Sequence, residues 1–232
     1  MKVIWNLWLQ MFFTQVIAAL VSLFGLIISL KRKNRQFKYF PFYFGLYFLV
    51  NILWYISPIL PTSFEKITQS MAICLDHFFT FLEFFVFLNY MKSNTQNVFI
   101  QKSYKYLLVI FSLVFFYATI HDIILFKQIT SETKNSAYTV EAILLIIPGI
   151  FFLKKYFQDG SKISFMKDPD FWIITGILFT MICTLPYSFL ENYISHQYHN
   201  LLPATYSIFY VFYILLFLMI IKGILCKPVK IL

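Results

Sequence analysis

Carboxyl groups set among hydroxyls at helical spacing are the residues here with the most chemistry in them. Asp76, Thr80 and Glu83 follow at i, i+4 and i+7, which places them on one helix face. Thr180, Thr184, Tyr187 and Glu191 form a second such stripe. Tyr47, Asn51 and Tyr55 recur every fourth residue, as do Asn6, Gln10 and Thr14. Tyr138 and Glu141 lie one turn apart, and Thr205, Tyr206, Tyr210 and Tyr213 open the last apolar stretch. Desolvated carboxyls of this kind can take up a proton or hold a cation. A separate set, His121-Asp122 and His196-x-x-His199 near Glu191, has the imidazole and carboxylate donors that suit zinc, but two His three apart in an irregular loop are a common accident and no metal site is expected.

The elements that must position these groups are apolar. The chain is 60% hydrophobic and 12% charged, against about 25% charged in soluble domains. About 20 apolar residues cross a hydrocarbon core of roughly 30 Å. By that measure seven membrane helices are predicted, at 4–30, 40–60, 69–91, 106–126, 137–157, 171–192 and 203–225. The expected fold is therefore an all-α seven-transmembrane helix bundle, one integral membrane domain over 1–232. The first stretch is too long for a signal-peptide core and no small-residue cleavage site follows it, so it reads as a retained anchor. Cys74, Cys183 and Cys226 supply neither a disulfide framework nor a C-x-x-C pair and read as small packing residues. The 30 Phe and 16 Tyr fit a lipid-facing surface with interfacial anchors.

Charge gives the orientation. With the N-terminus outside, the inner loops and tail hold Lys31, Arg32, Lys33, Arg35, Lys38, Lys92, Lys102, Lys105, Lys154, Lys155, Lys162, Lys167, Lys222, Lys227 and Lys230. Only Lys2, Lys66, Lys127 and Lys134 remain outside. A basic excess on short cytoplasmic loops is the charge rule for topology, so the C-terminus is expected in the cytoplasm. Because the cations lie beside spans, the net charge of +9 points to anionic inner-leaflet lipid and away from nucleic acid. On this depth scale the polar positions gather in the outer halves of the spans. At ~1.5 Å per residue, Asp76 falls about 10 Å below the outer surface and Glu83 near mid-membrane. Ionisable groups at that depth cost at least ~2.5 kcal/mol and normally face a bundle interior or a wet cavity.

One outward-facing cavity lined by Asp76, Thr80, Glu83, Glu141, Thr184, Tyr187, Glu191 and Asn51 accounts for the pattern. The alternative for Glu191, His121, Asp122 and Asn6 is an ordinary interfacial position. For Asp76 and Glu83 it is a structural hydrogen-bond cluster between helices, with no ligand. Pro148 and Pro186 fall inside spans and predict kinks, the second in the cavity wall.

Several chemistries are excluded. A retinal Schiff base needs a lysine deep in the last span, where only Lys222 occurs, at the inner edge. A G-x-S-G turn is absent, and Asp76 is the only mid-span Asp, which leaves no aspartyl pair. The three-His zinc site of seven-span hydrolases has no counterpart, because His77, His121, His196 and His199 all fall on the outer side. The Pro-Gln signature of small sugar transporters is missing as well.

The segment His77-Phe78-Phe79-Thr80-Phe81-Leu82-Glu83-Phe84, a hydroxyl three before a Glu-aromatic pair in the third span, resembles a group of small seven-span membrane proteins of Bacteroidota-type bacteria. The resemblance singles out Thr80 and Glu83 and implies a multi-pass protein of the bacterial inner (plasma) membrane. It implies no activity. The function expected from the residues is a sensor or signalling subunit with an acidic outward cavity, whose basic inner loops meet a cytoplasmic or membrane partner. A small transporter or channel subunit with a mid-membrane carboxylate is the alternative. A membrane enzyme acting on lipid or envelope material, with Glu83 and His77 as acid and base, stands third. No cofactor is expected, and a catalytic role is the least favoured of the three.

Overall fold

The computed structural model describes residues 2–32, 35–59, 61–126, 131–158 and 165–226. Among them run seven α-helices: α1 Lys2–Lys31, α2 Phe40–Ile56, α3 Thr62–Ser93, α4 Val98–Phe126, α5 Ser131–Gln158, α6 Pro169–Gln197 and α7 Leu202–Leu225. Six carry stretches long and apolar enough to cross a membrane, at Leu7–Lys31, Met71–Ser93, Val98–Ile120, Ala137–Gln158, Pro169–Leu190 and Leu202–Leu225. The apolar α2 has 17 residues, about 25 Å at ~1.5 Å per residue. A 3-10 turn, Ser57–Ile59, prolongs it directly. The chain is a multi-pass helical membrane bundle.

Helix order around the bundle follows from packing. α1 lies against α2 and α7, and α7 against α1 and α6. α5 joins α6 to α3 and α4, and α3 also packs on α2. α1 can sit close because its buried face, Gln15, Ala18, Ala19, Ser22, Gly25 and Ser29, is made of small residues apart from Gln15. Small residues at this spacing let membrane helices approach. Gly25 is the tightest point: a Cβ there would stand 2.6 Å from the Phe44 ring of α2. The opposite face of α1 turns Phe12, Phe13, Ile17, Leu20 and Phe24 outward, as a lipid-facing helix should. α4 is peripheral, meeting α3 through Phe111 stacked on Phe84 at 4.1 Å and Phe115 on Phe81 at 5.3 Å.

Several expectations need correction or refinement. α4 begins at Val98, not 106, so Lys102 and Lys105 stand exposed on its first turns and not in a loop; long lysines keep their charge wet from such positions. α3 starts earlier, at Thr62, but its apolar membrane-length stretch, Met71–Ser93, lies close to the span expected at 69–91. The aromatics serve both faces: Phe12, Phe13, Phe24, Phe116 and Phe189 stand exposed as expected, while Phe40, Tyr43, Phe44, Phe84, Phe87, Phe111 and Phe217 are fully buried and build the interior. Cys74 is exposed and so fills no interior space. α5 and α6 run on through Pro148 and Pro186. Pro186 is exposed, so it turns away from the interior, whereas Pro148 is buried beside Gly149. A Cβ on Gly149 would stand 2.6 Å from the Leu178 side chain of α6, so a larger residue here would have to displace Leu178 from the α5–α6 contact.

Candidate functional site: a buried carboxyl and its tyrosine chain

Glu83 is the centre. It is 0% exposed, on the α3 face turned into the bundle. Tyr43 of α2 donates its hydroxyl to Oε1 at 2.8 Å, and the Tyr213 hydroxyl of α7 stands at hydrogen-bond distance, 2.8 Å, from Oε2. The Tyr213 hydroxyl also lies 3.3 Å from that of Tyr138 on α5. Tyr138 in turn meets Thr184 Oγ1 of α6 at 3.1 Å, and Thr184 donates to the Thr180 carbonyl at 2.7 Å. Five helices are thus tied to one another through one polar chain. Buried polar groups in a bilayer must be satisfied inside the protein, and interhelical bonds of this type hold membrane helices together.

Aromatic packing fixes the tyrosines. Tyr213 stacks on Tyr47 at 5.6 Å with an interplanar angle of 14°. Phe217, one turn further along α7, wedges against Tyr47 at 4.6 Å and Tyr43 at 5.8 Å. Phe79 stacks on Tyr43 at 5.3 Å. This packing holds the Tyr43 and Tyr213 rings with their hydroxyls at Glu83. Rings packed edge-on or offset in this way add about 0.5–1.5 kcal/mol per pair beyond burial.

Beside the chain lies a cavity of about 90 Å³. Asn51 of α2 with Asp76 and Thr80 of α3 line it, together with Tyr47, Tyr138, Tyr206, Tyr210 and Tyr213. Asn51 is held by α1, its Oδ1 accepting from Gln15 Nε2 at 3.2 Å, and by its own bond to the Tyr47 carbonyl at 2.8 Å. The cavity is far below the roughly 300–1,000 Å³ of a drug-sized site. It has room for a few waters or a small ion. Tyr138 and Tyr213 belong both to its wall and to the Glu83 chain.

The anticipated set therefore divides. Asn51, Asp76 and Thr80 share the cavity, while Glu83 and Thr184 are reached from it through Tyr213 and Tyr138. Glu141, 0% exposed, interacts electrostatically with Glu83, and neither of its oxygens has a hydrogen-bond partner among the described residues. Tyr187 is not in the cavity wall; it packs on Phe209 at 5.1 Å and on Tyr206 at 6.1 Å. The side chains of Glu191, His121, Asp122, His196 and His199 lie outside the described residues.

Two features were not anticipated. Tyr43 sits in an aromatic run where nothing marks it as polar, yet it lies one turn before Tyr47 and two before Asn51; that i, i+4, i+8 spacing was the available signal. The second is a clasp at the Lys92 and Lys222 end of the bundle. Asp170 of α6 accepts from Tyr90 of α3 at 2.7 Å and from Gln36 Nε2 at 3.1 Å. Asp168 caps the same helix, accepting from the Asp170 amide at 2.9 Å, with Pro169 next. An Asp-Pro pair of this kind is a helix-start signature.

No protein-family model, curated protein or solved structure matches the chain.

Proposed function

We propose that the protein is a multi-pass sensor or signalling subunit of a bacterial inner membrane that reads a small polar or cationic ligand from outside. The cavity shared by Asn51, Asp76 and Thr80, coupled to Glu83 through Tyr213, is the observation that carries this reading. Its size supports water, a proton or a small cation as the ligand. The basic residues at the Lys92 and Lys222 end support a cytoplasmic position for that end, which puts the cavity on the outer side. Glu83 ties α2 to α7, and Tyr213 ties α7 to α5. A change at the carboxyl is therefore felt by several helices at once, and through them by the inner loops, where a partner would dock.

To test it, thermal unfolding in lipid nanodiscs is followed while pH, sodium and ammonium are titrated. A shift that Glu83→Gln and Asp76→Asn abolish is the expected result. The same shift in wild type and in both folded variants would overturn the reading. The transporter alternative draws support from the carboxyl near mid-span, but the aromatic block of Phe40, Phe44, Phe87 and Phe217 and the Asp170 clasp close the far end. Flux of the titrated ion in proteoliposomes would favour it; a sensor moves nothing. An enzyme using Glu83 and His77 stays third, since Tyr43 and Tyr213 enclose the carboxyl.

A further inference from the structure

The hydroxyl chain can be counted. Tyr43–Glu83, Glu83–Tyr213, Tyr213–Tyr138, Tyr138–Thr184 and Thr184–Thr180 carbonyl make five contacts. The four hydroxyls, on Tyr43, Tyr213, Tyr138 and Thr184, each own one hydrogen. If Glu83 is an ionised carboxylate, four hydrogens must serve five contacts and one contact has none. A proton on Oε2 supplies the fifth. Tyr43 then donates to Oε1, the carboxyl to Tyr213, Tyr213 to Tyr138, Tyr138 to Thr184 and Thr184 to the Thr180 carbonyl, with every hydrogen used once.

From this geometry we infer that Glu83 is a reversible proton-binding site in the bundle, and that the ligand read through the cavity is the proton itself. The inference rests on the sensor reading of the same site and names its ligand. Tyr138 and Tyr213 line the cavity, so a hydronium ion there has a hydroxyl to meet. It gives its proton to Tyr213 Oη while the Tyr213 hydrogen passes to Oε2. Water is left behind, the carboxylate becomes neutral, and the tyrosine is neutral before and after. Loss of the proton leaves the longest link, Tyr213–Tyr138 at 3.3 Å, as the one to open. That link joins α7 to α5, so the protonation state sets how tightly α7 is held.

The titratable groups around Glu83 come from each helix packed about it. α2 brings Tyr43 and Tyr47, α5 brings Tyr138 and Glu141, and α7 brings Tyr210 and Tyr213. α3 itself carries Asp76 in the cavity and the buried His77. α4 meets α3 through Phe111 and Phe115, which carry no charge. Glu141, with both oxygens unbonded among the described residues, is the neighbouring carboxyl that makes two simultaneous charges costly.

Infrared spectroscopy of the full chain in nanodiscs tests the inference. The carbonyl stretch of a protonated carboxyl is expected at neutral pH, with a Glu83 component that is lost in Glu83→Gln, retained in Glu141→Gln and shifted in Tyr213→Phe. The amide introduced by Glu83→Gln can stand in for the protonated acid, so that variant should unfold at the wild-type temperature and lose the wild-type response to rising pH. Carboxylate absorption alone for Glu83 would overturn the inference, even if a sodium or ammonium response survived to support the sensor reading. Conversely, a protonated Glu83 whose band and unfolding ignore pH, sodium and ammonium sinks both reversible uptake and sensing. Should Glu83→Gln fail to fold, the unsubstituted protein isotope-labelled at its glutamate carboxyls gives the same readout.

Discussion

Removing one oxygen atom from Tyr213 tests the polar chain most directly. Tyr213→Phe preserves the ring, its stack on Tyr47 at 5.6 Å and its contact with Phe217 at 5.9 Å. It deletes the bond to Glu83 at 2.8 Å and the link to Tyr138 at 3.3 Å. Tyr213 is 2% exposed, so bulk water does not replace the hydroxyl. Interhelical hydrogen bonds in membrane proteins average about 0.6 kcal/mol and reach about 1.7. A buried charged or polar partner left short adds about 1–3 kcal/mol. With two links broken and one carboxyl oxygen deprived, the expected loss is about 1–3 kcal/mol, roughly five- to 150-fold in the folding equilibrium at 1.4 kcal/mol per tenfold. Reversible unfolding in mixed micelles reads it, with Tyr106→Phe as the control because Tyr106 is 72% exposed. A control change within about 0.5 kcal/mol is ordinary for a surface site. If Tyr213→Phe also fell within that limit, the hydroxyl would carry no net bond, and the five-helix chain would be a set of neighbours only. A double-mutant cycle with Tyr43→Phe then asks whether the two tyrosines act through the shared carboxyl; an interaction energy near zero would say they do not.

Other consequences are open to simpler measurements. Glu141→Leu should raise stability by about 1–3 kcal/mol, because an unbonded buried carboxyl is replaced by an apolar group of similar size, while the response to pH weakens; a fall in unfolding temperature would contradict this. Gly25→Ala drives a methyl to 2.6 Å from the Phe44 ring and should cost about 1–3 kcal/mol, whereas Gly45→Ala, whose nearest neighbour would be Leu26 at 3.8 Å, should be neutral or stabilising. Equal unfolding temperatures for the two would refute the close α1–α2 approach. Asp170→Ala removes the acceptor shared by Tyr90 and Gln36 and should speed amide exchange at the starts of α2 and α6; protection equal to wild type would show the clasp to be idle. For the orientation, Ile59 at 82% and Met166 at 65% exposure are suitable cysteine positions in a background without Cys74, Cys183 and Cys226. An impermeant thiol reagent should label position 59 on intact cells and position 166 only after permeabilisation; the reverse pattern would invert the topology.

Much of the frame was legible because it depends on composition and period. Apolar stretches of membrane length, the rows Asp76-Thr80-Glu83 and Thr180-Thr184, and the crowding of Lys and Arg at alternate ends follow from local chemistry alone. Helix limits were less legible at α3 and α4, since a helix in a bilayer continues past its apolar part into polar turns, as at Lys102 and Lys105. The aromatics were legible only in part: phenylalanine is as much at home against lipid as inside, so its count foretold the exposed Phe12, Phe13 and Phe24 but not the buried block around Phe44 and Phe217. Tyr43 and the Asp168–Asp170 clasp were overlooked because one hides in an aromatic run and the other beside a lysine-rich loop.

The amino-acid sequence by itself determined that this is an all-α membrane protein with a carboxyl at Glu83 deep in a span, because the 3.6-residue period and the cost of burying charge act within one helix. Only the tertiary structure decided what that carboxyl meets. The period gives each helix a polar face but no rotation and no neighbour; these come from side chains fitting between helices. Here Phe44 against Gly25 and Phe217 against Tyr47 set those rotations. The same packing brings Tyr43, Tyr213 and Tyr138 to Glu83, leaves Glu141 without a hydrogen bond among the described residues, and shrinks the anticipated cavity to a space for water or a small ion.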